Sequence, residues 1–287
     1  MPMNSTAQRH LHTAVHRGKR LAVRGRELLL RTLVTVGFRQ SESRIAADSQ
    51  RYWARTDGKR WAANSHWRAA PEFGDGELWS RIGREHLELF ERGARMAGFT
   101  RPWDRIVEWG CGGGANAVHF APRAKEFIGV DISLETLDEC TKQVAAVCGT
   151  PFQAVPIDVA HPEKATGLIS GQCDIFLCLY VFELLPTPEY GARILRIARE
   201  LLAPGGLALI QVKYDDGRWS TGPRRRSYTT AVAEMTTYPI PTFWQLAENC
   251  GFTPEMVHLV PKNELDERYA YFLLSKPDQD SGRVAAT

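Results

Sequence analysis

The 287-residue chain predicts an α/β fold: a doubly wound, mostly parallel seven-stranded sheet with an antiparallel last strand, preceded by a helical N-terminal cap. Three observations carry that expectation. From Arg105 onward, short Val/Ile/Leu-rich segments alternate with segments of helical period, the pattern of parallel strands covered by helices on both faces. The last two apolar segments, "EMVHLVPK" and "RYAYFLLSKP", follow one another with a short connection that permits antiparallel pairing. Finally, 44% hydrophobic and 24% charged residues make an ordinary globular composition, at a length that supports one large domain with attachments.

The elements follow in order. The first forty residues read as helix, with Leu11, Val15 and Ala22 compatible with one face and Leu29, Leu33 and Val36 continuing after Gly25. Residues 1–60 hold 13 Lys and Arg against 4 Asp and Glu, a net of +9, so the other 227 residues carry 23 against 29, a net of −6. The basic character therefore belongs to an N-terminal arm, residues 1–44. Such a helix either packs on the main domain with its basic face in water or rests on an anionic membrane surface. Residues 45–100 form an aromatic-rich helical cap containing Tyr52, Trp53, Trp61, Trp67, Phe73 and Trp79, and ending in the helix "LWSRIGREHLELFERGARMAGF".

Residues 101–277 make the main domain. Its strands are "RIVEWG", "EFIGVDIS", "FQAVPIDV", the start of "CDIFLCLYVFELL", "LALIQVKY" and the two final segments. Helices begin at "GANAVHFA" and run through "LETLDECTKQVAAVC", "YGARILRIARELL" and "TFWQLAENCGF"; the Pro204-Gly205-Gly206 turn is expected to part the third from its strand. An irregular insert, residues 215–240, reads as a substrate lid, and the tail of residues 278–287 as disordered.

Several classes are set aside. The longest apolar run is far short of the ~18 residues a spanning helix needs, and no cleavage site follows the basic N-terminus. The cysteines Cys111, Cys140, Cys148, Cys173, Cys178 and Cys250 form no CxxC pair or zinc-site spacing. Scattered thiols of this kind suit a cytoplasmic location.

The chemistry concentrates in "RIVEWGCGGGANAVHFA". Gly110, Gly112 and Gly114 follow a strand directly, so the backbone can turn sharply and let a ligand approach. The helix that follows offers unpaired N–H groups. Asp131 ends the next strand, 17 residues beyond Gly114, where a carboxylate can accept from ribose hydroxyls. These features point to a nucleoside-containing ligand and leave a dinucleotide open.

Glu108 two residues before Gly110, Asp158 at the end of "VPID", and the acid-apolar-acid run from Asp174 to Glu183 go further. With the closing strand pair, they resemble class I S-adenosylmethionine-dependent methyltransferases, over about Trp103 to Pro277. The resemblance implies that Glu108, Gly110 and Gly112 hold the methionine end and Asp131 the ribose. It implies that Ile132 packs on the adenine, Asp158 and the Val159 backbone read its edge, and Leu179 and Tyr180 lie beside the sulfonium. The His common after Glu183 is Leu184 here, so no base role transfers to it.

For the acceptor side, Glu183 and His66 are candidate bases, and Trp67, Tyr180, Lys213 and Arg225 candidate substrate contacts. No metal-ligand spacing is evident, so metal-independent chemistry is expected. The leading expectation is methyl transfer to a hydroxyl of a small molecule or a sugar-containing acceptor (glycan, glycolipid or secondary metabolite), with no nucleic-acid partner. N- or C-methylation of an aromatic such as an indole, RNA methylation, and a non-catalytic cofactor-binding module stay open as alternatives.

Overall fold

The computed structural model describes residues 25, 28–29, 32–33, 36–37, 39–54, 59–74, 76–225, 228 and 232–278. Most of the basic arm, Arg226 of the insert and the tail beyond Asp278 lie outside them.

The cap begins with α1 (Glu42–Trp53), whose first turn is closed by Ser41 Oγ accepting from Arg44 N at 3.3 Å. The short α2 (Lys59–Asn64) and the long α3 (Glu77–Met96) complete it. Ile82, Leu87, Phe90 and Ala94 of α3 are all buried, as their spacing predicts.

The sheet contains β1 (Arg105–Trp109), β2 (Glu126–Asp131), β3 (Phe152–Pro156), β4 (Cys173–Cys178), β5 (Leu202–Asp215), a two-residue β6 (Tyr238–Pro239), β7 (Thr253–Lys262) and β8 (Glu267–Ser275). The main order is β3-β2-β1-β4-β5-β8-β7, with β6 beside the end of β5. Strands β1 to β5 run parallel, whereas β8 is antiparallel to both β5 and β7. The sheet thus has the doubly wound form expected, with its antiparallel closing pair.

Both faces are apolar. Ile106, Ile175 and Leu177 bury one face against α3 and α5 (Leu134–Ala145). Val107, Phe176 and Cys178 bury the other against α6 (Pro188–Leu201) and α7 (Ile240–Asn249). The order reverses between β1 and β4, and a crevice at the carboxyl ends of those strands is where ligands of doubly wound sheets bind.

Two local expectations need correction. The helix after the glycine turn, α4 (Ala117–Phe120), is one turn long and passes into a 3-10 turn, Ala121–Arg123, where Pro122 lacks the N–H a longer helix would need. Pro204-Gly205-Gly206 does not part helix from strand. α6 runs directly into β5, which already pairs at Leu202, and the three residues form an irregularity inside the strand with Gly205 at φ +73°. Among the described residues no helix is long and apolar enough to cross a membrane.

Candidate functional site

After Trp109 the chain turns through Gly110, whose N–H donates to Val130 O at 2.7 Å. Gly110 has φ +72°, and a Cβ there would stand 2.3 Å from Val181 Cγ2. The next glycines answer to a different neighbour. Gly113 N donates to Ser65 O at 2.7 Å, and a Cβ on Gly113 would meet His66 O at 2.6 Å. The cap loop, itself bent through His66 at φ +52°, therefore lies on the glycine turn. Trp79 Nε1 donates to His66 O at 2.6 Å and fixes that bend.

Between the turn and the cap is a cleft. Trp109 to Gly112, Asp131, Ile132, Leu179 and Tyr180 line it from the strand ends; Ser49, Trp53, Ser65 and His66 from the cap; and Tyr228 from the insert. Trp53 Nε1 donates to the Tyr228 hydroxyl, joining cap and insert over the opening.

Asp131 Oδ1 accepts from Ile132 N and Ser133 N at 2.7 and 3.1 Å, and Oδ2 accepts from Gly112 N at 3.1 Å. A carboxylate has roughly four lone-pair sites, so Oδ2 retains one for a ligand hydroxyl. Burial raises the Asp131 pKa, while these backbone donors oppose the shift. Glu108, fully buried on β1, accepts from Asn116 Nδ2 at 2.7 Å through Oε1, and its Oε2 has no hydrogen-bond partner among the described residues. Burial pushes its pKa up to about 8. The glycine turn, the remaining acceptor site on Asp131 and the orphaned Glu108 oxygen together suit an adenosyl amino acid bearing a cationic group.

Residues 107–208 match a family described as a methyltransferase domain. The chain carries a class I, S-adenosylmethionine-dependent methyltransferase domain.

A ubiquinone biosynthesis O-methyltransferase of Psychrobacter arcticus is 24% identical over 198 residues, covering 66% of this chain and 71% of that relative. One of Escherichia coli is 25% identical over 181 residues, covering 63% and 70%. In fold, the chain is similar to the N-methyltransferase NodS of Bradyrhizobium japonicum in complex with S-adenosylhomocysteine: TM-score 0.53, 14% identity, 82% of this chain and 99% of the other. It is also similar to the magnesium protoporphyrin IX methyltransferase of Synechocystis, with TM-score 0.50, 15% identity and coverage of 73% and 93%.

The methyltransferase brings some of the residues singled out from sequence into the cleft and leaves others out. Gly110, Gly112, Asp131, Ile132, Val159, Leu179, Tyr180 and His66 line it, and Glu108 lies behind the lining residue Asn116. Asp158 does not: it is exposed, its Oδ1 accepts from Ala160 N at 2.8 Å, and it faces a separate groove with Gln50 and Arg193. The Val159 N–H, expected to meet adenine, instead donates to Gln50 Oε1 at 2.9 Å.

The acceptor-side candidates scatter further. Glu183 is 2% exposed and stays outside the lining, facing Gln211 and Lys213; burial raises its pKa to about 7. Lys213 is buried and donates to Asp266 Oδ2 at 2.5 Å, with Glu234 Oε1 3.7 Å away. Its ammonium is held by those acids, where sequence alone suggested a substrate contact. Trp67 packs against α5, its Nε1 donating to Thr136 Oγ1 at 3.3 Å. Arg225 is half-buried outside the cleft, and its partial desolvation, with Arg39 nearby, lowers its pKa.

Sequence reasoning missed a buried chain of polar groups. His86 Nδ1 is 2.7 Å from Asn116 Oδ1, His86 Nε2 is 3.0 Å from the Tyr271 hydroxyl, and that hydroxyl is 3.4 Å from the Tyr180 hydroxyl. Its one sequence signal is His86 between Ile82 and Phe90 at helical spacing, a polar side chain on an apolar stripe.

Proposed function

We propose that this methyltransferase transfers the S-adenosylmethionine methyl to a hydroxyl of a small-molecule acceptor. Bound in the cleft, S-adenosylmethionine supplies an already electrophilic methyl. Asp131 would hold the ribose, with Ile132 and Ile157 against the adenine. Leu179 and Tyr180, at the tip of β4, would line the reacting end.

The observation that carries the hydroxyl reading is His66. It lines the cleft with Tyr180, their rings 5.1 Å apart edge to face. Burial, with His86 nearby, lowers its pKa to about 4, so its imidazole is neutral near pH 7 with a lone pair to accept a hydroxyl proton. The similarity to ubiquinone biosynthesis O-methyltransferases supports the same reading. Trp53, Tyr190 and Tyr228 among the lining, with Leu184 and Leu185, favour an acceptor with an apolar ring over a sugar.

The test is labelled-methyl transfer to a panel of phenols, glycosides, indoles and RNA, followed by mass spectrometry of the product. Transfer to phenolic oxygen is expected, with kcat in His66→Ala falling ~10²–10⁴-fold and donor affinity held. Transfer confined to nitrogen, carbon or RNA, or full turnover in His66→Ala, overturns the reading.

A further inference from the structure

The geometry points to Asn116 as a residue that holds the amino-acid end of the methyl donor, and to His86 as the positioning residue that keeps the Asn116 amide turned for it. The inference rests on the reading of the cleft as the donor site.

A primary amide offers two N–H donors and two lone pairs. In Asn116, one N–H donates to Glu108 Oε1 and one lone pair faces His86 Nδ1, each at 2.7 Å. One donor and one acceptor remain, on a side chain that is 5% exposed and lines the cleft. An α-amino acid is a zwitterion, whose carboxylate accepts and whose ammonium donates. The two positions left on the amide match it in sign. Glu108 Oε2, buried and without a partner just behind, adds a second acceptor on the ammonium side.

The amide is useful in one orientation only, and its neighbours select it. Asn116 Oδ1 requires His86 to carry its proton on Nδ1. That tautomer leaves Nε2 as an acceptor for the Tyr271 hydroxyl at 3.0 Å, and Tyr271 in turn lies 3.4 Å from the Tyr180 hydroxyl. Each link is satisfied in the same direction, from Tyr180 at the end of β4 back to Glu108 on β1. Burial lowers the His86 pKa to about 4, which keeps the ring neutral and the tautomer defined. The ring reaches Asn116 because Gly83, one turn earlier on α3, has no side chain: a Cβ there would lie 1.8 Å from Ala115 O.

Paired titrations with S-adenosylhomocysteine and methylthioadenosine test this. The second keeps the nucleoside and thioether and lacks the amino-acid end. Asn116→Ala and His86→Leu are each expected to weaken S-adenosylhomocysteine about tenfold, the scale of one hydrogen bond to a charged group, and to leave methylthioadenosine unchanged. His86→Gln, whose amide N–H can still serve Asn116, should return affinity to within about threefold of the parent. In turnover, the donor KM should rise while kcat stays within about twofold.

Equal weakening of both ligands, or of neither, overturns the inference. So does failure of His86→Gln to recover affinity. Asn116→Ala leaves the packing of His86 in place and decides the matter where His86→Leu does not fold. Should the unmodified protein bind neither ligand, the donor-site reading itself fails.

Discussion

One wall of the cleft comes from the strand ends, with Gly110, Asp131 and Leu179; the other comes from Ser49, Trp53 and His66 of the cap and Tyr228 of the insert. The strand-end wall is built from short-range rules. A parallel strand runs out of the sheet, glycines turn it, and an acid ends the neighbouring strand. The cap wall rests on contacts that join distant parts of the chain, such as Trp53 to Tyr228 across 175 residues. The walls meet where the Gly113 N–H donates to Ser65 O and the missing Gly113 side chain leaves room for the His66 backbone. Glycines next to a nucleotide site are usually read as making room for the ligand; here two of the four make room for the protein's own cap.

Gly113→Val should break that seam with the largest effect. Its φ lies outside the left-handed region, so the cost is steric: the new Cβ would stand 2.6 Å from His66 O and 2.8 Å from Trp67 Cα, both backbone atoms. The cap must lift, displacing His66 and Trp53 from the cleft. We expect kcat/KM to fall about a hundredfold or more, the scale of a misplacement near 1 Å, and the cap to become susceptible to limited proteolysis. Unchanged kinetics would show that the cap is not seated on the turn in solution.

The same contrast explains what could be read from sequence. The strands, their parallel order, the antiparallel closing pair and the placement of Asp131 and Leu179 all follow from periodicity and local turn chemistry. The position of Lys213 at the end of β5 is visible in sequence, while Asp266, its partner 53 residues later, is not. The same holds for Trp67 and Arg225: an aromatic or a cation in a cap or loop carries no mark of whether it faces a ligand or another segment. Asn116 carries no signal in sequence because its value lies in two partners, Glu108 and His86, on other elements.

Glu183 sits behind the cleft and sharpens the comparison through pH. Its folded pKa, about 7, is above the ordinary 4.5, so the folded state holds the proton more tightly than the unfolded state. That contribution is present in full below about pH 4.5 and is lost as pH rises through 7. Glu183→Gln removes it, so relative to the parent the variant should gain stability across that window, by up to roughly 3 kcal/mol above it. Denaturant unfolding at a series of pH values reads the difference, and subtraction of the parent curve cancels the similar term from Glu108. Turnover should stay within about threefold, since the carboxyl lies outside the cleft; a loss near the ~10²–10⁴ of a general base would return Glu183 to the chemistry.

The smallest effect is expected where resemblance and structure part. By resemblance Asp158 reads the adenine edge, yet its carboxylate is exposed in the groove beside Gln50 and Arg193, and Gln50 already takes the Val159 N–H. Asp158→Asn should therefore change S-adenosylhomocysteine affinity by no more than about twofold, the range of ordinary surface substitutions. A tenfold loss would mean that the segment after β3 moves when the donor binds, and that movement has a structural cost that can be measured separately. Gln50 would have to release Val159, so Gln50→Ala would tighten donor binding in the same titration. If Gln50→Ala weakens it instead, α1 holds the Val159 segment in its binding position, and the cap contributes to adenine recognition through the backbone it restrains.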